Sequence, residues 1–148
     1  MQDQKMDSRE AIDRLIVFNR LGWNASIIVG DKVYHHDDKR FSRKTLLPNQ
    51  QKIMLEMQTY ILDGFCDELL PENMTWELTD DGVTIGEYGF SVAPFISKEG
   101  LGKRYDGVRF IVLDPEGNES DPFYDAKSAI IEAATLEFTH KLKAKSNR

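Results

Sequence analysis

His35-His36-Asp37-Asp38 is the densest run of metal-ligating side chains in the sequence. Strand geometry divides it. Successive side chains of an extended chain point to opposite faces, so His35 goes with Asp37 and His36 with Asp38. Two ligands per face fall short of the three or four protein groups that hold zinc, and the remaining histidine, His140, lies far along the chain. No metal and no cofactor is therefore expected. The single cysteine, Cys66, has Asp63, Asp67, Glu68 and Glu72 around it in sequence. Carboxylates disfavour a thiolate, so Cys66 reads as an inert or buried thiol rather than a nucleophile.

Two further segments imitate known chemistry. Glu99-Gly-Leu-Gly-Lys-Arg-Tyr105 has the look of a phosphate loop, but Ser97 stands where the first glycine is needed and Arg104 where serine or threonine should follow the lysine. No long helix follows it, so the dinucleotide fingerprint fails too. It reads as a turn capable of weak anion contact. Asp114-Pro-Glu-Gly-Asn-Glu-Ser-Asp121 resembles a calcium loop in composition, yet its glycine is fourth instead of sixth. A hairpin turn is the better account. There is no Gly-x-Ser-x-Gly elbow. Carboxylates for glycoside hydrolysis are present in number, with nothing to place them. No catalytic residue is assigned; a non-catalytic role is favoured and enzyme activity is left open. A small hydrolase, with His35 or His36 and carboxylates lining a pocket, is the second alternative.

Charge is the unusual feature. The 148 residues hold 25 acids and 19 bases, a net −6, with a pI near 5.1. That balance argues against a dedicated polyanion binder. Between Lys52 and Lys98 there is no basic residue, while nine acids fall there: Glu56, Asp63, Asp67, Glu68, Glu72, Glu77, Asp80, Asp81 and Glu87. Five more, Asp114, Glu116, Glu119, Asp121 and Asp125, precede Lys127. The 62 residues of 53–97 and 110–126 thus carry −14, and the other 86 carry +8. An acidic face of this kind steers a basic partner. The expected partner surface is Asp63, Asp67, Glu68, Glu72, Asp80, Asp81 and Glu87. Spread over loops and helix starts, the same acids would serve only solubility and capping.

The basic counterpart is Lys39-Arg-Phe-Ser-Arg-Lys44, together with Lys141, Lys143 and Lys145. Lys39, Arg40, Phe41, Arg43 and Lys44 combine cations with one aromatic ring, the composition of a loop that grips phosphates and stacks a base. Nucleic-acid binding through this loop and the C-terminal helix is the alternative function, partly cancelled by Asp37 and Asp38.

These residues must be carried by a scaffold, and the pattern supplies one. Asp7 and Glu10 have capping-box spacing, Ala11, Ile12, Leu15, Ile16 and Phe18 follow at helical intervals, and Gly22 stops the helix. Gly30-Asp31 joins two β-branched runs, 23–29 and 32–36, as a hairpin. Pro48 opens a second helix with the stripe Ile53, Met54, Met57, Tyr60, Ile61 and Phe65. Met74, Trp76 and Leu78 alternate, Asp81-Gly82 turns the chain, and Tyr88, Phe90 and Val92 alternate again before Pro94 limits central pairing. Val108–Leu113 has apolar residues on both faces and reads as a central strand. Asp121 caps a last helix with Pro122 in its first turn and Ala126, Ile130, Ala133, Ala134, Phe138 and Leu142 as its apolar face.

The sum is an α+β chain in the order α-β-β-α-β-β-β-α. It has an antiparallel sheet of about five strands with three helices packed on it, in a single domain over 1–148 with short flexible ends at about 1–6 and 144–148. Hydrophobic residues at 41% and aromatics at 10% exclude global disorder. No apolar run approaches membrane-spanning length, residues 1–10 lack a secretory pattern, and one cysteine fits a reducing interior. The expectation is a cytoplasmic, non-catalytic module, an inhibitor or accessory factor, that docks a basic protein surface. The sequence leaves its oligomeric state open.

Overall fold

The structure, a computed structural model, describes residues 7–41, 46–97 and 107–146. Three helices and two antiparallel sheets make it an α+β protein. The expected order of elements holds, with six strands instead of five, and they form a separate hairpin and a four-stranded sheet instead of one sheet. The chain divides into two compact units, the second comprising, among described residues, 55–97 and 107–146.

The first unit begins with α1 (Ser8–Leu21). The Asp7 side chain accepts a hydrogen bond from the Glu10 backbone N–H at 2.8 Å, and Gly22 closes the far end. Ala11, Leu15, Ile16 and Val17 are its buried residues. β1 (Ser26–Val29) and β2 (Lys32–His35) pair across Gly30-Asp31, in register Val29 with Lys32. The Asn19 side-chain amide donates to the His36 carbonyl at 2.8 Å, fastening the hairpin's end to α1. Lys39–Phe41 forms one 3-10 turn. Helix α2 (Pro48–Leu69) starts in this unit, where Asp13 of α1 accepts from the side-chain amides of Asn49 and Gln50. From Leu55 onward α2 belongs to the second unit.

The stripe expected on α2 needs correction. Met54, Gln58, Leu62 and Cys66 are buried, whereas Tyr60 is 65% exposed. Apolar residues lie on more than one side of this helix while the polar Gln58 and Thr59 are buried, so periodicity alone does not choose its inner face.

In the second unit β3 (Trp76–Leu78), β4 (Val83–Ile85), β5 (Phe90–Ser97) and β6 (Gly107–Leu113) follow one another in sheet order. Gly82 turns β3 into β4 against the β5 backbone, where any Cβ would overlap the Val92 carbonyl. Pro94 lies inside β5, opposite Phe110 of β6. The Phe110 N–H and C=O bond to Phe123, on the far side of β6. Pro94 therefore occupies a non-hydrogen-bonded pair and aims its missing N–H at the β4 side, where pairing has ended at Val92.

β6 is the last strand of the sheet and not a central one. Its outer edge is covered by bridges from Phe123 and Glu119, which pair backbone groups that an edge strand would leave open. Helix α3 (Ala126–Ser146) is capped by Asp125, whose carboxylate accepts from the N–H groups of Lys127 and Ser128, and not by Asp121. The stretch containing Pro122 instead serves the β6 edge. Helix continues through Lys145 and Ser146, residues expected in a flexible end. The core gathers Leu62 and Cys66 of α2, Val83, Ile85, Val92, Phe110 and Val112 of the sheet, and Ala126, Ala129, Ile130 and Ala133 of α3. Four small or β-branched positions on α3 let the helix approach the sheet closely. No helix among the described residues is long and apolar enough to cross a membrane.

Candidate functional site

All seven acids of the expected partner surface fall in the second unit. Among its described residues sixteen acids face five lysines and arginines, a net −11, while the first unit's described residues hold six acids and seven bases. The sequence windows thus mark a real segregation of charge between compact units.

Within the second unit the seven acids do different work. Asp63 is half-buried and accepts from the Trp76 indole N–H at 2.9 Å, which ties α2 to β3. Asp67 and Glu68 are exposed on the last turn of α2, and Glu72 follows in the loop. Glu68 lies 3.6 Å from Lys127, which also sits 5.1 Å from the Phe65 ring centre. Asp80 and Asp81 occupy the β3–β4 turn, and Glu87 the β4–β5 turn at the other end of β4. The fold therefore gathers Asp67, Glu68 and Glu72 near one helix end, and holds Asp80 and Asp81 apart from Glu87.

Around that helix end lies an apolar groove of about 270 Å³ between Leu69, Leu70, Pro71 and Met74 on one side and α3 on the other. Ile131, Phe138 and Leu142 recur on α3 at helical spacing and are 54%, 56% and 52% exposed. Phe138 and Leu142 were expected on the inner face. The inner line instead runs Ala126, Ile130, Ala133, Glu137, with the larger side chains on a second arc facing out. That arc is the feature sequence reasoning missed. Its signal was legible as a second stripe of large residues beside the small ones that pack on the sheet.

A second cavity, about 450 Å³, adjoins the groove through Pro71, Met74 and Phe138. Its floor is the β4–β5 turn, held by three residues of α3. Glu137, only 3% exposed, accepts from the Glu87 backbone N–H at 2.8 Å. His140 packs against Tyr88 at 4.6 Å and Phe90 at 6.0 Å between ring centres. Lys141 lies 3.7 Å from the Glu87 carboxylate. Gly86 has φ +76°, a conformation side chains resist, and a Cβ there would overlap the Glu137 carboxyl.

The remaining candidates are quiet. Cys66 is fully buried, and burial with the nearby Asp63 charge pushes its thiol up to about 12. His35 Nδ1 meets the Ser26 hydroxyl at 2.7 Å, and His36 Nδ1 the Ala25 backbone at 3.2 Å. No group of three potential metal ligands occurs among the described residues. Asp114 accepts from the backbone N–H groups of Glu116 and Asn118, closing a tight turn.

In the basic segment the Phe41 ring is 3% exposed, so the stacking expected of it does not occur, and Arg40 grips Asp38 at 2.7 Å. That grip holds the Asp38 carboxyl down to about 2. Lys39 is exposed; Arg43, Lys44 and the Glu99–Tyr105 segment lie outside the described residues. No family model, curated protein or solved structure matches the chain.

Proposed function

We propose that the second unit is a docking module for an amphipathic, lysine- or arginine-rich helix of another protein. The apolar side of that helix lies in the groove between Leu69–Met74 and α3, and its cations meet Asp67, Glu68 and Glu72. The observation that carries this reading is the outward arc Ile131, Phe138, Leu142 on a unit of net charge −11. Helix-in-groove recognition uses this combination of spaced apolar anchors and flanking charge.

Magnitudes assign the two parts their roles. Covering three half-exposed apolar side chains yields about 1 kcal/mol each, and a total near 3 kcal/mol falls short even of the roughly 4 kcal/mol that millimolar affinity requires. Apolar contact alone is therefore too weak, and electrostatics must supply the partner's selectivity and much of its affinity. Asp63 is not a contact residue in this account, because it is engaged with Trp76. The module is proposed to act as a non-catalytic accessory or inhibitory factor in the cytoplasm.

The test is a fluorescence anisotropy titration of the chain with a labelled lysine-rich amphipathic helical peptide at low and high salt. Binding should weaken markedly with salt and vanish in the Asp67→Lys, Glu68→Lys, Glu72→Lys variant with its circular dichroism unchanged. Undiminished capture by that variant retires the site. Salt-sensitive binding of single-stranded DNA in place of the peptide would favour the basic segment.

A further inference from the structure

The cavity beside the groove is chemically unlike it. Glu137 lies on the inner arc of α3 with its carboxylate buried. Oε1 is taken by the Glu87 N–H, and Oε2 is buried with no hydrogen-bond partner among the described residues. A buried carboxylate is normally paired on both oxygens, so Glu137 lacks one donor. One helical turn on stands Lys141, and a turn beyond that Lys145, both lining the same cavity. Lys141 lies a long 3.7 Å from the Glu87 carboxylate, and an ammonium has three donors to give. Met74, Phe138 and Leu142 supply an apolar wall.

We propose that this cavity binds a free α-amino acid with an apolar side chain. Its ammonium is received by Glu137, its carboxylate by Lys141 and Lys145, and its side chain by Met74, Phe138 and Leu142. The charge order selects the ligand class. A simple cation would meet two lysines, and a simple anion would meet Glu137 and Glu87. A zwitterion satisfies both, and positions four apart on a helix are separated by about 5–6 Å, within reach of two charges on one α-carbon. A cavity of about 450 Å³ is in the range of small-molecule sites. Gly86 is what permits the turn to close over Glu137 without filling the space. The inference does not rest on the docking reading, since it uses a different cavity and ligand, although Met74, Phe138 and Leu142 serve both.

The experiment is an NMR titration of the isotope-labelled full chain with L-leucine, read at the Gly86 and Glu87 amides. Saturable shifts in the millimolar range are expected. N-acetyl-leucine, which lacks the ammonium, and leucinamide, which lacks the carboxylate, should each bind about tenfold or more weakly. Lys141→Ala should weaken leucine and leave leucinamide unchanged, and Glu137→Gln should weaken both. Should Glu137→Gln fail to fold, the Lys141→Ala pair decides, since Lys141 is half-exposed. N-acetyl-leucine binding as well as leucine, equal loss of both ligands in Lys141→Ala, or no saturable shift at tens of millimolar leucine would overturn the proposal.

Discussion

Replacing Gly86 with alanine should disturb the molecule far more than the loss of one hydrogen atom suggests. Gly86 has φ +76°, and a left-handed conformation costs an L-residue about 1 kcal/mol. The added methyl would overlap the Glu137 carboxyl and drive it from the Glu87 N–H, which it now holds at 2.8 Å. A hydrogen bond to a charged group contributes about 2 kcal/mol, so Gly86→Ala should cost about 3 kcal/mol in all. Urea unfolding followed by tryptophan fluorescence measures this, because Trp76 pairs with Ile85, next to the turn. The decisive control is a cycle with Glu137→Ala. With the carboxylate already gone, Gly86→Ala should cost only about 1 kcal/mol, leaving a coupling of about 2 kcal/mol between the two sites. Equal cost in both backgrounds would refute the idea that Gly86 exists to admit Glu137.

Asp63→Ala should lower stability by about 2 kcal/mol through the Trp76 indole bond and red-shift the fluorescence, yet leave peptide affinity unchanged. An affinity loss would return Asp63 to the docking surface. Cys66, with its thiol pushed up to about 12, should be silent to an aromatic disulfide reagent at pH 8 until urea unfolds the chain; rapid labelling of the native protein would contradict its burial. The Ser128 hydroxyl and the first N–H groups of α3 hold the Asp125 carboxyl below its ordinary value. Its stabilising effect is therefore full above about pH 4 and fades as pH falls through the lower folded value. Asp125→Ala should cost about 1 kcal/mol at neutral pH, and its gap from the parent chain should narrow at pH 3; a gap independent of pH would remove the cap from the account.

The elements that were legible in sequence have local causes. Asp7 with Glu10, and Gly22, bound the first helix by their own hydrogen bonds, and Gly30-Asp31 fixes its hairpin by turn geometry. What was not legible depends on neighbours distant in sequence. Asp121-Pro122 has the chemistry of a helix start, but the stretch is drawn into bridging β6 at Phe123 and Glu119, so the helix waits for Asp125. β6 looked central because the covering of its edge by that same stretch is a tertiary fact.

The acidic windows mark the second unit, whose described residues carry a net −11, but spacing does not tell an engaged acid from an exposed one. Exposure and partners, not spacing, separate Asp63 from Asp67, Glu68 and Glu72. Glu137 carried a readable signal, a carboxylate in the line Ala126, Ile130, Ala133, Glu137 where the helical period demands apolar residues. A charge in that position is a mark of a site or of a structural bond, and here it makes one bond and leaves one oxygen unpaired.

The central claim is that the outward arc of α3 and the acidic end of α2 together receive a basic amphipathic helix. Backbone amide shifts on the intact, isotope-labelled chain test it most directly, with the lysine-rich peptide in one titration and single-stranded DNA in another. The peptide should move the amides of 67–74 and 130–142 and leave those of 32–41 in place, with little response to DNA anywhere. Shifts confined to 32–41 on adding DNA, and none at 67–74 or 130–142 with the peptide, would contradict the account.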